Sequence, residues 1–430
     1  MSFHLISNGK YFEAKMQLSV IVIMFFIISP VRISGHTGPF DGKKFKGRIA
    51  YSTDGNFNDE DDWAASAFAL AIFAEFGIQD KLVHFDYNCI LPKTDTAWEK
   101  EHKKSILGSI ELFGYADSIF HDCQQDLDGA VNSIRDAINS STAENPLYYI
   151  LAGPMEVPYR GIAKSDPEKR KYVYCISHNV WNDGYASRDL VEHNKRDVIP
   201  TGVTWIQITD QNQFLTTGPF GRPSTSLEWQ PWTWLLNTND KKLHFLWDRL
   251  VATTRADCSD AGMAYFLMTG DEQPEISKVN KLLAGHDIPK PLNPRQHIRI
   301  EAENFFALDH FEIDYKNDRR VSQRISIRSD SEGTSRISTI FKEPYTAPEA
   351  FYDVDIRYYD RPDATIQLQL YIENIPIRES FTIHGSRDAW HTFTVNDVEI
   401  RDGNEIAVVV KYGAGNDCQL DYIQLNLKKM

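Results

Sequence analysis

Cysteine is scarce in this chain, and its scarcity removes several chemistries at once. Only five occur among 430 residues (Cys89, Cys123, Cys175, Cys258 and Cys418), and no two form a CxxC pair. A zinc ribbon or a thioredoxin-like site is therefore excluded. The odd, scattered set leaves room for one disulfide in an exported chain but singles out no pairing. Long basic runs are also missing, and the net charge is −14, which argues against nucleic acid or an anionic membrane surface as partner. Long apolar runs are nearly absent too. The one at the N-terminus, Leu18 to Ile28, has 11 residues, against the roughly 20 that a membrane-spanning helix needs. It follows Lys10 and Lys15 and precedes the small residues Ser34 and Gly35, the pattern of a secretory leader over residues 1–35, with Met16 as an alternative start. The expected location is secreted or periplasmic, with no stable membrane insertion once the leader is removed.

What remains is ordinary globular composition, 42% hydrophobic and 25% charged, in a chain long enough for two domains. A polar arm covers 36–47. From Arg48 onward apolar strands alternate with helical periodicity. The first strand runs straight into Asp54-Gly-Asn-Phe-Asn-Asp59-Glu60-Asp61-Asp62, five carboxylates in nine residues, and then into a helix from Asp62 to about Phe76. A strand at 81–88 ends in Asn88, one at 146–151 in Gly153-Pro154-Met155-Glu156, and one at 171–176 in His178, Asn179, Asn182 and Asp183; helical spacing fills 98–113 and 127–138. Polar residues at successive strand ends predict a mostly parallel α/β sheet with its site at the strand tips. Carboxylates crowded in one loop repel unless they splay into water or a cation holds them, and hard oxygen donors suit Ca²⁺, which takes about 6–8 oxygens. The competing expectation is a solvated acidic turn in front of a capped helix. His84, within a strand, is expected to be a satisfied core residue. His178, at a strand tip, is a candidate leaving-group acid.

Residues 199–240 have little periodicity and carry Trp205, Trp229, Trp232 and Trp234, the profile of a binding loop. Trp229 and Trp232 are candidates for stacking on sugar rings, although aromatic residues more commonly serve core packing. A helix over 244–253 and acids at 257 and 260 before another apolar helix close the domain at 286. A Pro-rich linker, 287–296, leads to period-two patterning over 297–430, an antiparallel β-sandwich.

Several of these motifs resemble a known family. Ser52-Thr53-Asp54-Gly55-Asn56 with Asp61-Asp62-Trp63-Ala64, Asn88, Gly153-Pro154-Met155-Glu156, Ile176-Ser177-His178-Asn179 with Asn182, and Ser259-Asp260-Ala261 occur in the order of the inosine-uridine nucleoside hydrolases. The resemblance is closer still to the nucleoside-hydrolase-like domains of bacterial cellulose-binding proteins, and it covers residues 48–285. It implies that Asp54, Asp62, Asp260 and the Glu156 carbonyl hold Ca²⁺. It also implies that Asp54 takes a proton from a water acidified by the ion, that Asp61 and Asn88 hold sugar hydroxyls with Asn179 and Asn182 nearby, and that the sugar product is inverted. Three departures move the expectation away from nucleosides and toward a calcium-dependent sugar site. The acidic loop is longer, so Asp59 or Glu60 could stand in for Asp61 or Asp62. Ser259 replaces a histidine. The Trp-rich segment has no counterpart.

The smaller domain resembles carbohydrate-binding modules of the calcium-containing β-sandwich type, through Glu301-Ala-Glu303-Asn304, Tyr352 to Tyr358 and Gly415 to Tyr422. That implies a structural calcium site at Glu301, Glu303 and Asp421, with Tyr345 or Trp390 stacking on a sugar unless they are core. Three functions are compatible with these residues: a secreted calcium-dependent glycoside hydrolase with an attached carbohydrate-binding domain, a non-catalytic glycan-binding protein, and an exported nucleoside N-ribohydrolase.

Overall fold

The computed structural model describes residues 39–429 apart from 42–43, 58, 92–94, 185–191, 237–238, 286–293, 316–317, 331–332, 346–348, 363, 386–387 and 414–416. The expected leader, most of the expected linker, and Gly415 and Asn416 lie outside the described residues.

The region read as a polar arm contains a short hairpin, Phe40–Asp41 (β1) and Lys44–Phe45 (β2), that buries Phe45 in the core and sets Phe40 against Phe76. Then come Arg48–Thr53 (β3), Asp62–Glu75 (α1), Leu82–Tyr87 (β4), Thr96–Phe113 (α2), Phe120–Asp122 (β5), Leu127–Asn139 (α3) and Leu147–Ala152 (β6). Glu156–Lys164 (α4), Pro167–Arg170 (α5), Val173–Ser177 (β7), Val180–Asp183 (α6), Lys195–Val198 (α7) and Thr204–Gln207 (β8) follow. The strands form one parallel sheet in the order β5-β4-β3-β6-β7-β8. β6 and β7 are buried throughout and β3 from Ile49 onward, as inner strands of a sheet covered on both faces must be. The chain steps from β3 to β5 in one direction, then returns to β6 on the other side of β3 and continues to β8. That reversal places a topological switch point between β3 and β6, where a crevice opens beyond the strands' carboxyl ends.

Ser226–Trp229 (α8), Lys241–Ala252 (α9), Ala261–Thr269 (α10) and Ile276–Leu283 (α11) complete this part. Every residue of α10 is buried and α1 is buried from Asp62 through Phe73, so these apolar helices are core elements rather than amphipathic covers. No helix among the described residues is long and apolar enough to cross a membrane.

The sandwich begins with His297–Glu301 (β9), Ala307–Asp309 (β10), Phe311–Asp314 (β11), Ser326–Ser329 (β12), Gly333–Ile340 (β13) and Glu349–Asp360 (β14). Thr365–Ile372 (β15), Ile375–Pro376 (β16), Phe381–His384 (β17), Ala389–Arg401 (β18), Glu405–Tyr412 (β19) and Gln419–Lys429 (β20) finish it. One antiparallel sheet runs β10-β13-β19-β15-β16 with β17 on β15; the other runs β11-β12-β20-β14-β18 with β9 on β20. β15 alternates exposed or half-buried with buried residues along its whole length, the signature of one solvated face. The loop after β13 leaves the sandwich. Its Tyr345 is 1% exposed, joins the α/β core cluster, and donates to the Leu267 carbonyl at 2.7 Å. Tyr345 therefore has no face left for a sugar.

Candidate metal centre

Asp54 sits at the end of β3, beside the switch point. Its carbonyl accepts from Asn88 N–H at 3.1 Å, tying the loop after β3 to the end of β4. Gly55 turns the chain with φ +79°, and a Cβ there would lie 2.6 Å from His102 Nδ1, so only glycine fits. Trp63 Nε1 donates to the Gly55 carbonyl at 2.7 Å, and Asn56 exchanges hydrogen bonds with the backbone of Ile90. The loop is thus pinned from both sides. It brings carboxylate oxygens of Asp54, Asp59 and Asp62 within 4.8 Å of one another. Asp54 is fully buried and neither of its oxygens has a hydrogen-bond partner; Asp62 Oδ2 is in the same state, while Asp62 Oδ1 accepts from Thr53 Oγ1. Burial, then the charges of their neighbours, push the carboxyls of Asp54, Asp61 and Asp62 well above the usual range. A cluster of unpartnered oxygen donors with this charge fits Ca²⁺. Opposite the loop, a Cβ on Gly153 would meet Asp54 N at 3.0 Å and Oδ1 at 3.2 Å. The turn after β6 therefore closes directly on Asp54. The expectation of a solvated acidic turn does not hold, because these acids face inward.

Asp260, one residue before α10, belongs to the same charge group, since it raises the carboxyls of Asp54 and Asp62. His178 bonds to Asp260 through Nε2, and its Nδ1 lies 3.4 Å from Asp210 Oδ1 and 3.2 Å from the Gln211 N–H. Burial opposes the imidazolium, but Asp260 and Asp210 outweigh it and raise the pKa to about 10. With its ring fully buried and both nitrogens engaged, His178 stands behind Asp260 as a positioning residue; the expected leaving-group acid is not at this position. Arg255, absent from the sequence-based candidates, supplies the nearest counter-charge: its guanidinium is 2.7 Å from Asp257 Oδ2 and 3.7 Å from Asp61 Oδ1. Asp59, one of the acids the loop's extra length left open, is the one whose oxygen joins Asp54 and Asp62. Asp210 and Arg255 have no motif around them, and only folding brings them to Asp260 and Asp61.

Other candidates are placed elsewhere. Asn88 is buried at φ +60° with its amide committed, Nδ2 to Asp122 at 3.1 Å and Oδ1 to His102 Nδ1 at 3.3 Å. These two bonds make Asn88 a shaper of the loop. Asn179 caps α6 through Trp181 N–H, and Asn182 is buried with Oδ1 unpartnered. Trp232 is fully buried against Phe68 and donates to Thr217 Oγ1, so it is core rather than a stacking platform. Trp229 is half-buried on Trp247. The Glu156 carboxylate is held by Arg160 and by the backbone N–H groups of Glu192 and His193, leaving only its carbonyl for the expected role. His84 is a satisfied core residue, bonded to Ser133 and Asp86. In the sandwich, Glu301, Glu303 and Asp421 do not converge as a metal cluster; among the described residues only Asp54, Asp59 and Asp62 do. Trp390 lines a surface cavity of about 330 Å³ with Tyr359.

One opening adjoins the acidic loop, and a larger one lies beyond Asp210. A cavity of about 360 Å³ beside Glu60 is walled by Trp98 and by Phe220, which is 84% exposed and packs over Arg255. A larger polar cleft of about 1030 Å³ runs from Asp210 and Glu272 to Arg299, Glu301 and Gln424 of the sandwich.

No family model matches the chain. Against curated proteins, it is 28% identical over 263 residues to "Uncharacterized protein P22" of Formosa agariphila, across 56% of this chain and 92% of that protein. Among solved structures, a native family 35 carbohydrate binding module from Clostridium thermocellum is similar at 12% identity, over 30% of this chain and 98% of that one, with a TM-score of 0.26. The Podospora anserina GH26-CBM35 β-(1,4)-mannanase is similar at 17% identity over 32% of this chain, with a TM-score of 0.26, and only 29% of the mannanase is spanned. These structural likenesses fall on the C-terminal region.

Proposed function

We propose that this chain is a secreted, calcium-dependent glycoside hydrolase acting on a polysaccharide or oligosaccharide, with the sandwich as its carbohydrate-binding part. The observation that carries the reading is the convergence of Asp54, Asp59 and Asp62, with both Asp54 oxygens buried and unpartnered, at the switch point of a parallel sheet. Asp54, Asp59, Asp62 and Asp260 would hold the ion, with the Glu156 carbonyl beside them. When bound, the ion makes a neighbouring water more acidic. Asp54 would be the general base for such a water. Asp61, steadied by Arg255, would accept from a sugar hydroxyl, and His178 would keep Asp260 oriented. Because water attacks directly, the product is inverted. The cleft from Asp210 to Arg299 would take an extended chain of hydroxyls from the His178–Asp210 side of the sheet onto the sandwich.

The test is product release from a panel of polysaccharides, and from inosine and uridine, with calcium or with EGTA, for wild type and Asp54→Asn. Reducing ends that require both calcium and Asp54 support the reading. Free base from a nucleoside would replace it with an N-ribohydrolase. Retention on a glycan without release would make the chain a binding protein, a reading that Ser259 favours because it stands where the resemblance places a histidine.

A further inference from the structure

A second group of acids lies where the sandwich meets the α/β part. Glu301 ends β9, Glu303 follows in a short turn, and Asp421 lies on β20, whose Tyr422 is in register with Glu301. The three side chains are buried, and within the sandwich only Asp421 meets a cation, Arg357 Nε at 2.9 Å. The positive charge is already present. Lys195 on α7 reaches across with its side chain 5% exposed and places Nζ 3.2 Å from Glu303 Oε1 and 3.7 Å from Asp183 Oδ2. Asp183 in turn accepts from Ser177 Oγ at the tip of β7 at 2.6 Å. The next residue, Arg196, donates to the carbonyls of Glu303 at 2.6 Å and Phe305 at 3.2 Å. Asp421 spends both oxygens on the Ser322 N–H and Arg357 Nε, and Glu301 Oε1 accepts from Ser322 Oγ at 2.7 Å. Glu301 Oε2, Glu303 Oε2 and Asp183 Oδ2 are the carboxylate oxygens of these four acids without a hydrogen bond.

We infer that the Lys195 ammonium takes the place of a divalent ion at Glu303 and latches the sandwich onto the α/β sheet. Calcium collects roughly 6–8 oxygens at about 2.3–2.6 Å, and three unpartnered carboxylate oxygens fall well short of that. An ion bound to Glu303 would also sit beside Nζ and be repelled by it. An ammonium needs only a few acceptors and acts as a compact point charge, which suits Glu303 and Asp183 on opposite sides. The latch makes docking of the sandwich depend on a charged Lys195 and not on calcium.

The experiment uses the full chain in an Asp54→Asn background, which disables the other cation centre, and reads thermal unfolding with calcium or with EGTA. EGTA is expected to leave the transition unmoved. Lys195→Met is expected to lower it by roughly 5 °C or more, because Glu303 is left buried and unpaired. Adding Glu303→Gln to Lys195→Met should recover most of that loss. The inference is overturned if EGTA lowers the transition in the Asp54→Asn background and Glu303→Gln removes that sensitivity, since an ion and not the lysine would then hold Glu303. If Lys195→Met does not fold, the EGTA comparison with and without Glu303→Gln decides alone.

Discussion

Asp54 has no donor within hydrogen-bonding reach, so in the absence of an ion its charge is a cost to the fold with no direct compensation. Asp54→Asn removes one like charge from the cluster. In EGTA the variant should melt about 2–4 °C above wild type, equivalent to roughly 1 kcal/mol. With calcium the order should reverse, because wild type gains stability from the ion and the variant does not. Equal responses of the two proteins to calcium would remove Asp54 from the ligand set. Gly153 makes a second test from the other wall. A methyl group there would meet Cys89 Sγ at 2.7 Å as well as Asp54, so Gly153→Ala should cost about 1–3 kcal/mol and lower calcium affinity together with stability. Arg255→Gln strips Asp257, 1% exposed, of its partner, and should destabilise by roughly 3 kcal/mol in chemical unfolding.

The loop between β3 and α1 gathers its carboxyls into one charge cluster. Burial and mutual repulsion raise the carboxyls of Asp54, Asp61 and Asp62, so without an ion the folded chain holds more protons than the unfolded chain above the ordinary carboxylate range. Stability in EGTA should therefore fall as pH rises above the ordinary carboxylate range. Protons and the ion compete for the same oxygens, so the gain in melting temperature from calcium should grow as pH rises. A flat profile with and without calcium would mean that the loop ionises normally. The strands beneath this loop were legible because inner parallel strands such as Leu147–Ala152 are continuous apolar runs. The acidic loop was legible as a cation candidate because five carboxylates in nine residues have few other uses. Thr204–Gln207 was hidden, since four residues inside a Trp-rich stretch carry no period. Trp229 and Trp232 look alike in sequence, and only packing against Phe68 on α1 makes Trp232 core. Asn88 sits at a strand tip as expected, yet its amide is claimed by Asp122 and His102, 34 and 14 residues away. Contacts of that kind leave no local trace.

The two halves share structure at more than the Lys195 contact. Arg295 N–H donates to the Tyr345 carbonyl at 2.7 Å. The Arg295 guanidinium, 5.1 Å from the Phe266 ring, binds Glu343 at 2.6 Å and also Glu272. Glu272 further accepts from the N–H and hydroxyl of Thr209 just after β8, on the wall of the large cleft. One arginine thus ties the Tyr345 loop to the strand-tip side of the sheet, and both elements are buried around it. Removing one partner of such a group leaves charges buried without compensation, at about 3–5 kcal/mol. Wild type should therefore unfold in a single calorimetric transition, whereas Arg295→Ala should separate the sandwich from the α/β part into two. The same variant should lose more activity on long glycans than on short ones, because only a long chain spans from Asp210 to Arg299. Two transitions with unchanged preference for length would uncouple the cleft from the substrate path while leaving the mechanical link in place. A single transition in Arg295→Ala would show that Lys195 and Tyr345 suffice to hold the halves together.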